Sequence, residues 1–411
     1  MKNHFLKTIV FSIIALSSCS KDDPAPDPVV VVPPVVVTDV LTTQNVKTYM
    51  VDKNATTETV SLFYNLKKLA KTKFAIGQQD AFNGIYNNGS SSESDIKKTT
   101  GFEPALLGSD FMFITDKNNN GQSDNWFYQQ ELKTISEVKK AYAAGMVNTF
   151  CWHIREPNKE DSFYAADMTA DQKATAFKSI LPGGTNNAWY KLKLDKVAAT
   201  ISKMTGSKGE LIPIIFRPFH EFDGSWFWWG ANYCSAADYK AVYQFTVEYL
   251  RDTKGLHNIL YAFSPDNSYS TSANYLSRYP GDTYVDVLGM DNYGDLASGQ
   301  GQAGVTKANA KLKMISDLAI TKVKIAAMTE TGWYVDSKNS PITAWFSDIL
   351  YNTLTNNKIE ISYVVFWGNS KDGYYVPTPS TSNVQDFRDF TAKTKSALQN
   401  TLPSMYVLPN N

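Results

Sequence analysis

Arg217-Pro218-Phe219-His220-Glu221-Phe222-Asp223-Gly224-Ser225-Trp226-Phe227-Trp228-Trp229-Gly230 follows directly on an apolar run, Leu211 to Phe216. The run reads as a buried strand. Where it ends, an arginine, a histidine and a carboxylic acid appear within five residues, and three tryptophans follow within four positions. A strand whose C-terminal end carries charge points to an active site at the top of an α/β barrel. Indole planes beside a carboxylate point to a sugar, because a pyranose ring has an apolar C–H face that stacks on an aromatic ring. The competing reading is a buried Arg–Glu pair that fixes a strand end, with the tryptophans as core. Any one residue alone fits that reading better. The whole cluster does not, since large aromatics and charges packed this densely are costly to bury without a purpose.

The pattern extends outward from this stretch. Apolar runs at 74–79, 104–108, 146–152, 211–216, 259–263, 285–290, 323–328 and 361–366 read as strands. Helices are expected at 60–71, 132–144, 187–204 and 235–252. The last is opened by Ser235-x-x-Asp238 and stopped by Gly255. Strand–helix alternation predicts a parallel sheet, and eight such strands predict an α/β fold of the (β/α)8 TIM-barrel type. That barrel takes about 250 residues, more with insertions, so residues 40–411 are expected to form one catalytic domain. Segments 114–128, 155–185 and 294–303 are polar or Gly-rich and are expected as loops on the active-site face.

Composition narrows the function. Forty basic and forty acidic residues give a net charge of zero, so nothing favours nucleic acid as a partner. Aromatics make up 13% of the chain, which suits a carbohydrate cleft and equally a large core. The three cysteines, Cys19, Cys151 and Cys234, form neither a disulfide framework nor a zinc spacing. Whether Cys151 and Cys234 pair depends on the fold. No His/Asp/Glu spacing suggests a catalytic metal, no cofactor is expected, and His257 reads as a loop residue.

Two glutamates stand out because of where they fall. Glu221 follows the fourth strand and Glu330 the seventh, in Thr329-Glu330-Thr331-Gly332-Trp333. Retaining glycosidases need two carboxyl groups about 5–5.5 Å apart, one as nucleophile and one as acid and then base. Strands four and seven lie across a barrel, so side chains from their tops can converge over its mouth. An acid at such a site needs its pKa raised by burial and by its neighbour, while the nucleophile stays ionised. Arg217 is able to supply positive charge there, or to act as a structural partner only.

The opening stretch resembles glycoside hydrolase family 26, whose best-known members are endo-β-1,4-mannanases. That family carries Arg-Pro-x-His-Glu followed by Gly-x-Trp-Phe-Trp-Trp-Gly; Phe222-Asp223 stands where many members have Met-Asn. The resemblance covers roughly residues 45–400. It implies Glu221 as acid/base, Glu330 as nucleophile and β-mannan as partner. It also implies a substrate-binding set of His153, Arg217, His220, Trp226, Asp291, Tyr293 and Trp367. Within that set, His153 and His220 belong to the −1 subsite and Tyr293 donates to the nucleophile. Asp291 holds His220 or a neighbour, and Trp226 and Trp367 are sugar platforms flanking the cleavage point. Trp228, Trp229 and Trp333 are platforms or core, with at least one expected as core. Phe263, Asn267 and Tyr269 are further candidates for lining the cleft. Alternatives within the family are a β-1,3-xylanase or a mixed-linkage β-glucanase. An alternative of another class is a glycan-binding surface protein on a dead barrel, whose signature, loss of a glutamate, is missing here.

The chain start carries a separate message. Lys2 and Lys7 precede an apolar stretch, Phe5 to Leu16, too short for a membrane span. Leu16-Ser17-Ser18-Cys19 resembles the bacterial lipobox, which implies a signal peptide over 1–18 and lipidation of Cys19. Ser20-Lys21-Asp22-Asp23 resembles the export signal of Bacteroidetes surface lipoproteins. Pro24, Pro26, Pro28, Pro33 and Pro34 amid valines keep 19–39 extended, as a tether. The expected location is the cell outer membrane, lipid-anchored.

Overall fold

The computed structural model describes residues 40–86 and 92–409; the leader, Cys19 and tether of 1–39 lie outside the described residues. Eight parallel strands close a barrel: β1 (Phe74–Gln79), β2 (Leu106–Asp110), β3 (Val147–Cys151), β4 (Ile214–Arg217), β5 (Ile259–Phe263), β6 (Val287–Asp291), β7 (Ile325–Thr331) and β8 (Tyr363–Phe366). Each pairs with the next, and β8 pairs with β1 through Ala75↔Tyr363 to Gln78↔Phe366. A two-residue strand, β9 (Ser396–Ala397), adds to the start of β1. The (β/α)8 barrel expected from the alternation is the observed architecture.

β1 and β5 begin where expected, at Phe74 and Ile259, and the other six strands begin one to three residues after the start of their apolar runs. Pro213 has no N–H to give a ladder, and Leu211 instead makes an antiparallel bridge with Thr205, so β4 starts at Ile214. Val323, expected to open the seventh strand, is a left-handed residue (φ 53°) that ends helix Gly301–Lys322. Other helices extend into expected loops. Trp126–Ala143 starts where Asn125 accepts from the Tyr128 N–H, and Ala170–Ser179 opens on a Thr169/Gln172 capping box inside the 155–185 segment. Cys151 and Cys234 are free thiols, which answers the open question of their pairing.

Alternation along the strands sorts two cores. Ala75, Leu106, Val147, Ile215, Leu260 and Val287 cluster with Leu62, Phe63 and Leu66 of helix Thr57–Leu69. Their strand neighbours Phe74, Phe150, Phe216, Ile259 and Leu288 cluster with outer-helix residues such as Val138, Leu194, Val242 and Leu312. The first set fills the barrel, and residues 46–69 seal its N-terminal end. Asp286, fully buried just before β6, fixes that seal by accepting from the Val51 N–H (2.8 Å) and the Tyr261 N–H (3.1 Å). The opposite, C-terminal end is left open to carry polar groups.

Asp286→Ala orphans both of those buried N–H groups, at about 1–3 kcal/mol each. It should therefore lower the melting temperature clearly more than Asp286→Asn, which keeps one acceptor oxygen. Equal melting curves for the two variants would remove Asp286 from the seal.

Candidate active site

The site is built where β4 ends. Arg217, the last residue of β4, donates through Nη1 to both carboxylate oxygens of Asp291 (3.0 and 2.9 Å) and to Ser264 Oγ (2.8 Å), and through Nη2 to Glu330 Oε1. Thr329 Oγ1 completes the Asp291 shell at 2.6 Å. Burial opposes the Arg217 charge, but Asp291 and Glu330 outweigh it and hold its pKa well above the ordinary arginine value. Arg217 and Asp291 are sealed from solvent (3% and 0% exposed), so they act on Glu330 from beneath the cleft. Asp291 thus holds Arg217; the contact of His220 is with His153 instead.

Glu330 is brought in by an irregularity in β7. Its pairing with β6 shifts register between Met290 and Asp291, and its pairing with β8 shifts between Met328 and Thr331. Such bulges re-aim a side chain at the end of a strand. Glu330 Oε2 accepts from Tyr293 Oη at 3.1 Å. With Arg217 on one oxygen and Tyr293 on the other, both oxygens serve as acceptors, the form a nucleophilic carboxylate requires.

Glu221 stands in a turn after β4 with φ 51°, its N–H bound to Ser264 O (2.9 Å). Trp226 Nε1 donates to its Oε2 at 2.7 Å. That contact needs Gly224, because a Cβ there would lie 2.3 Å from the Trp226 ring. One carboxylate oxygen from each of Glu221, Asp291 and Glu330 falls within 4.8 Å of the others, close to the spacing of a retaining pair. Burial, then the charge of Glu330, then those of Asp291 and Asp266, drive the Glu221 pKa well above the usual carboxylate value. The shift favours the protonated form of Glu221, beside Glu330, whose two oxygens both accept hydrogen bonds.

The histidines form a relay under the cleft. His153 Nδ1 meets Asp110 Oδ2 at 2.6 Å, and His153 Nε2 meets His220 Nε2 at 3.2 Å. Burial, His153 and Arg217 lower the His220 pKa well below its usual value, so its ring is neutral. Trp226 (38% exposed) and Trp367 (partly exposed) border the opening, with the Trp367 ring edge-on to His153 at 5.8 Å. Trp228 and Trp229 are core, fully buried, donating to Ile154 O and His220 O. Trp333 instead lines an open depression with Tyr293 and Tyr375. Phe263 is fully buried among Phe222, Tyr239 and Tyr275, which corrects its expected place on the cleft wall; Asn267 and Tyr269 are partly exposed.

Sequence reading passed over Asp110, Ser264 and Thr329. The signal for Asp110 was present: it is a carboxylate at the end of β2, the same rule that singled out Glu221 and Glu330. Ser264 and Thr329 are hydroxyls in apolar strand ends and carry no comparable mark.

Known proteins are similar to this chain in sequence and fold. The profile of Glycosyl hydrolase family 26 matches residues 51–349. The solved structure of GH26C from Muricauda sp. is 50% identical, with a TM-score of 0.89 over 90% of this chain and 99% of that one. A modular endo-β-1,4-mannanase from Cellulomonas fimi is 34% identical, with a TM-score of 0.79 over 87% of this chain and 79% of that one. A mannan endo-1,4-β-mannosidase of Bifidobacterium adolescentis is 35% identical over 364 residues, 84% of this chain; the match spans 35% of that longer protein. By fold and sequence, the chain belongs to glycosyl hydrolase family 26.

Proposed function

We propose that this protein is a retaining endo-hydrolase of β-1,4-mannosidic linkages in mannan, glucomannan or galactomannan. One observation carries the reading: one carboxylate oxygen of Glu221 and one of Glu330 lie within 4.8 Å of each other at the mouth of a family 26 barrel. Relatives described as mannan endo-1,4-β-mannosidase or endo-β-1,4-mannanase support the substrate. Glu330 attacks the anomeric carbon while Glu221 gives its proton to the departing glycosidic oxygen, leaving a glycosyl-enzyme ester. Glu221, now a carboxylate, takes a proton from water, whose oxygen attacks the same carbon and releases the sugar with its configuration retained. Arg217 and Tyr293 hold Glu330 in line throughout. Trp226 fixes the Glu221 carboxyl and offers a face to the sugar.

Localisation is proposed from residues 1–39 alone. Leu16-Ser17-Ser18-Cys19 and the Pro-rich segment after it support a lipid anchor on Cys19 that holds the barrel off the outer membrane.

The two glutamates should fail differently when removed. Glu330→Ala should be inactive on every substrate, and added azide should yield an inverted product. Glu221→Ala should keep its first step on an activated aryl β-mannoside and accumulate the glycosyl-enzyme; azide should then restore turnover with retention. Swapped azide outcomes, or an inverted wild-type product seen by early-time NMR, would overturn the assignment.

The pH dependence follows from the raised Glu221 pKa. Its protonated form does the first step, so kcat/KM should fall as pH rises through that pKa. Removing the neighbouring charge in Glu330→Gln should shift the Glu221 titration to lower pH, as read by carboxyl carbon NMR. An unmoved titration would mean that burial alone sets it.

A third outcome concerns the chain start. Cys19→Ala should release the protein from the membrane fraction or leave its leader uncleaved; unchanged membrane association would refute the anchor.

A further inference from the structure

A thiol, an imidazole and a carboxylate meet where β2 and β3 end. Parallel pairing sets Asp110 beside Cys151, the last residue of each strand, and His153 follows two residues after Cys151. One ligand atom from each of the three lies within 4.8 Å of the other two. Asp110 and His153 belong to the relay under the cleft; the Cys151 thiol has no part in the proposed reaction. The chain shows no zinc spacing in sequence because these ligands come from neighbouring strands.

The geometry is close to that of a metal site. Cys151 Sγ stands 3.8 Å from His153 Nδ1 and 3.6 Å from Ser109 O. A tetrahedral zinc holds a sulfur and a nitrogen ligand roughly 3.6 Å apart. Asp110 is oriented in advance, since its Oδ1 accepts from the Met112 and His153 N–H groups (2.8 and 3.1 Å). Its Oδ2 meets only the His153 ring, at 2.6 Å, a contact that opens once no proton lies between the two atoms.

The charges favour a cation. Burial opposes the Asp110 charge, but His153 and the two N–H groups outweigh it and hold the carboxyl below its usual range. Burial, Asp110 and Glu330 push the Cys151 thiol well above its ordinary value, against Arg217. The same negative neighbours that keep the thiol protonated attract a cation able to displace its proton. Access is through a trough of about 410 Å³ that Asp110 and His153 line, with Cys151 beneath them at 2% exposed.

We infer that Asp110, Cys151 and His153 form a binding site for a divalent cation of the zinc class, and that filling it reversibly inhibits the catalytic centre. Sulfur, nitrogen and oxygen donors together suit zinc, cobalt or cadmium, whereas magnesium and calcium require oxygen alone. The protons balance. The thiol releases one to water as the sulfur–metal bond forms. The His153 Nδ1 proton leaves as that nitrogen binds, and His153 Nε2 takes one from His220 Nε2. His220 regains one on its otherwise unpartnered Nδ1, so both rings stay neutral. Inhibition, the part that rests on the mannan-hydrolase reading, has two causes. The Asp110–His153 hydrogen bond is lost, and a dication near Glu330 opposes the positive charge of an oxocarbenium-like transition state.

The test uses the metal ions alone. Zinc should suppress mannan hydrolysis by the wild type, and a chelator should restore it; magnesium and calcium should do neither. Cobalt should give the wild type a thiolate-to-cobalt charge-transfer band. Cys151→Ser should lose that band. It should also need roughly tenfold more zinc for the same inhibition, since losing even an outer-shell partner costs that much in metal affinity. Cys234→Ser and Cys19→Ala remove the other two thiols and should keep both properties. A wild type without the cobalt band overturns the site, with no variant needed. Equal zinc sensitivity in Cys151→Ser and wild type places the inhibiting metal elsewhere and overturns it too. A wild type that cleaves no mannan sinks the functional reading and the inhibition, while the cobalt band still decides whether the site binds metal.

Discussion

One buried guanidinium governs the barrel mouth. Arg217 faces Asp291 and Glu330, both within a few ångströms of Glu221, so three carboxyl groups share a single cation. Burying charges is costly unless each is paired and hydrogen-bonded. The guanidinium meets that condition for two of the three: its fork spans Asp291 with one nitrogen and reaches Glu330 with the other. A lysine, a point charge without a planar fork, does not satisfy both at once. The third carboxyl, Glu221, meets burial and the charges of Glu330, Asp291 and Asp266 instead, which favour its protonated form. On the proposed mechanism, the division of labour between acid and nucleophile follows from where one arginine points.

The barrel supplies the positions for that arrangement. Arg217 is the last residue of β4 and Asp291 the last of β6, while Glu330 sits in the irregular end of β7. Parallel strands all end at the same face, so these groups are neighbours in space although far apart in sequence. The other end is spent on stability, where helix Thr57–Leu69 and Asp286 close the barrel and nothing reactive is needed.

Much of this was legible in the sequence, and the failures have physical causes. Each of the eight strands was visible as an apolar run, because strands buried on both faces leave few polar interruptions. The first residues of β4 and β7 were not, since Pro213 and the left-handed Val323 act through backbone geometry, which an apolar pattern does not record. Helix Ala170–Ser179 was missed although Thr169-x-x-Gln172 announces it, because its few apolar residues give a weak periodicity. At the site, charged strand-end residues were found and Ser264 and Thr329 were not. Their role, completing the shells of Arg217 and Asp291, exists only once the strands are side by side. Phe263 was misplaced for the opposite reason: strand alternation puts an aromatic at a strand end on either face, and here it faces the helices.

The aromatic run after β4 then takes on a second meaning. Phe219 and Glu221 both adopt left-handed backbone (φ 53° and 51°), at about 1–3 kcal/mol each for residues that are not glycine. Such a conformation persists only if its surroundings over-determine it. Here Tyr239 Oη donates to Phe219 O, Trp229 Nε1 to His220 O, and the Glu221 N–H to Ser264 O. Phe219 itself packs against Phe177, Tyr239 and Trp229, all fully buried. Apolar burial of this size, about 1.5–3 kcal/mol per large side chain, exceeds the backbone strain it opposes. Trp229 therefore serves the site without facing the cleft: it clamps the turn that points Glu221 at Trp226. Within the same short run, Trp226 works at the surface and Trp228 and Trp229 work beneath it.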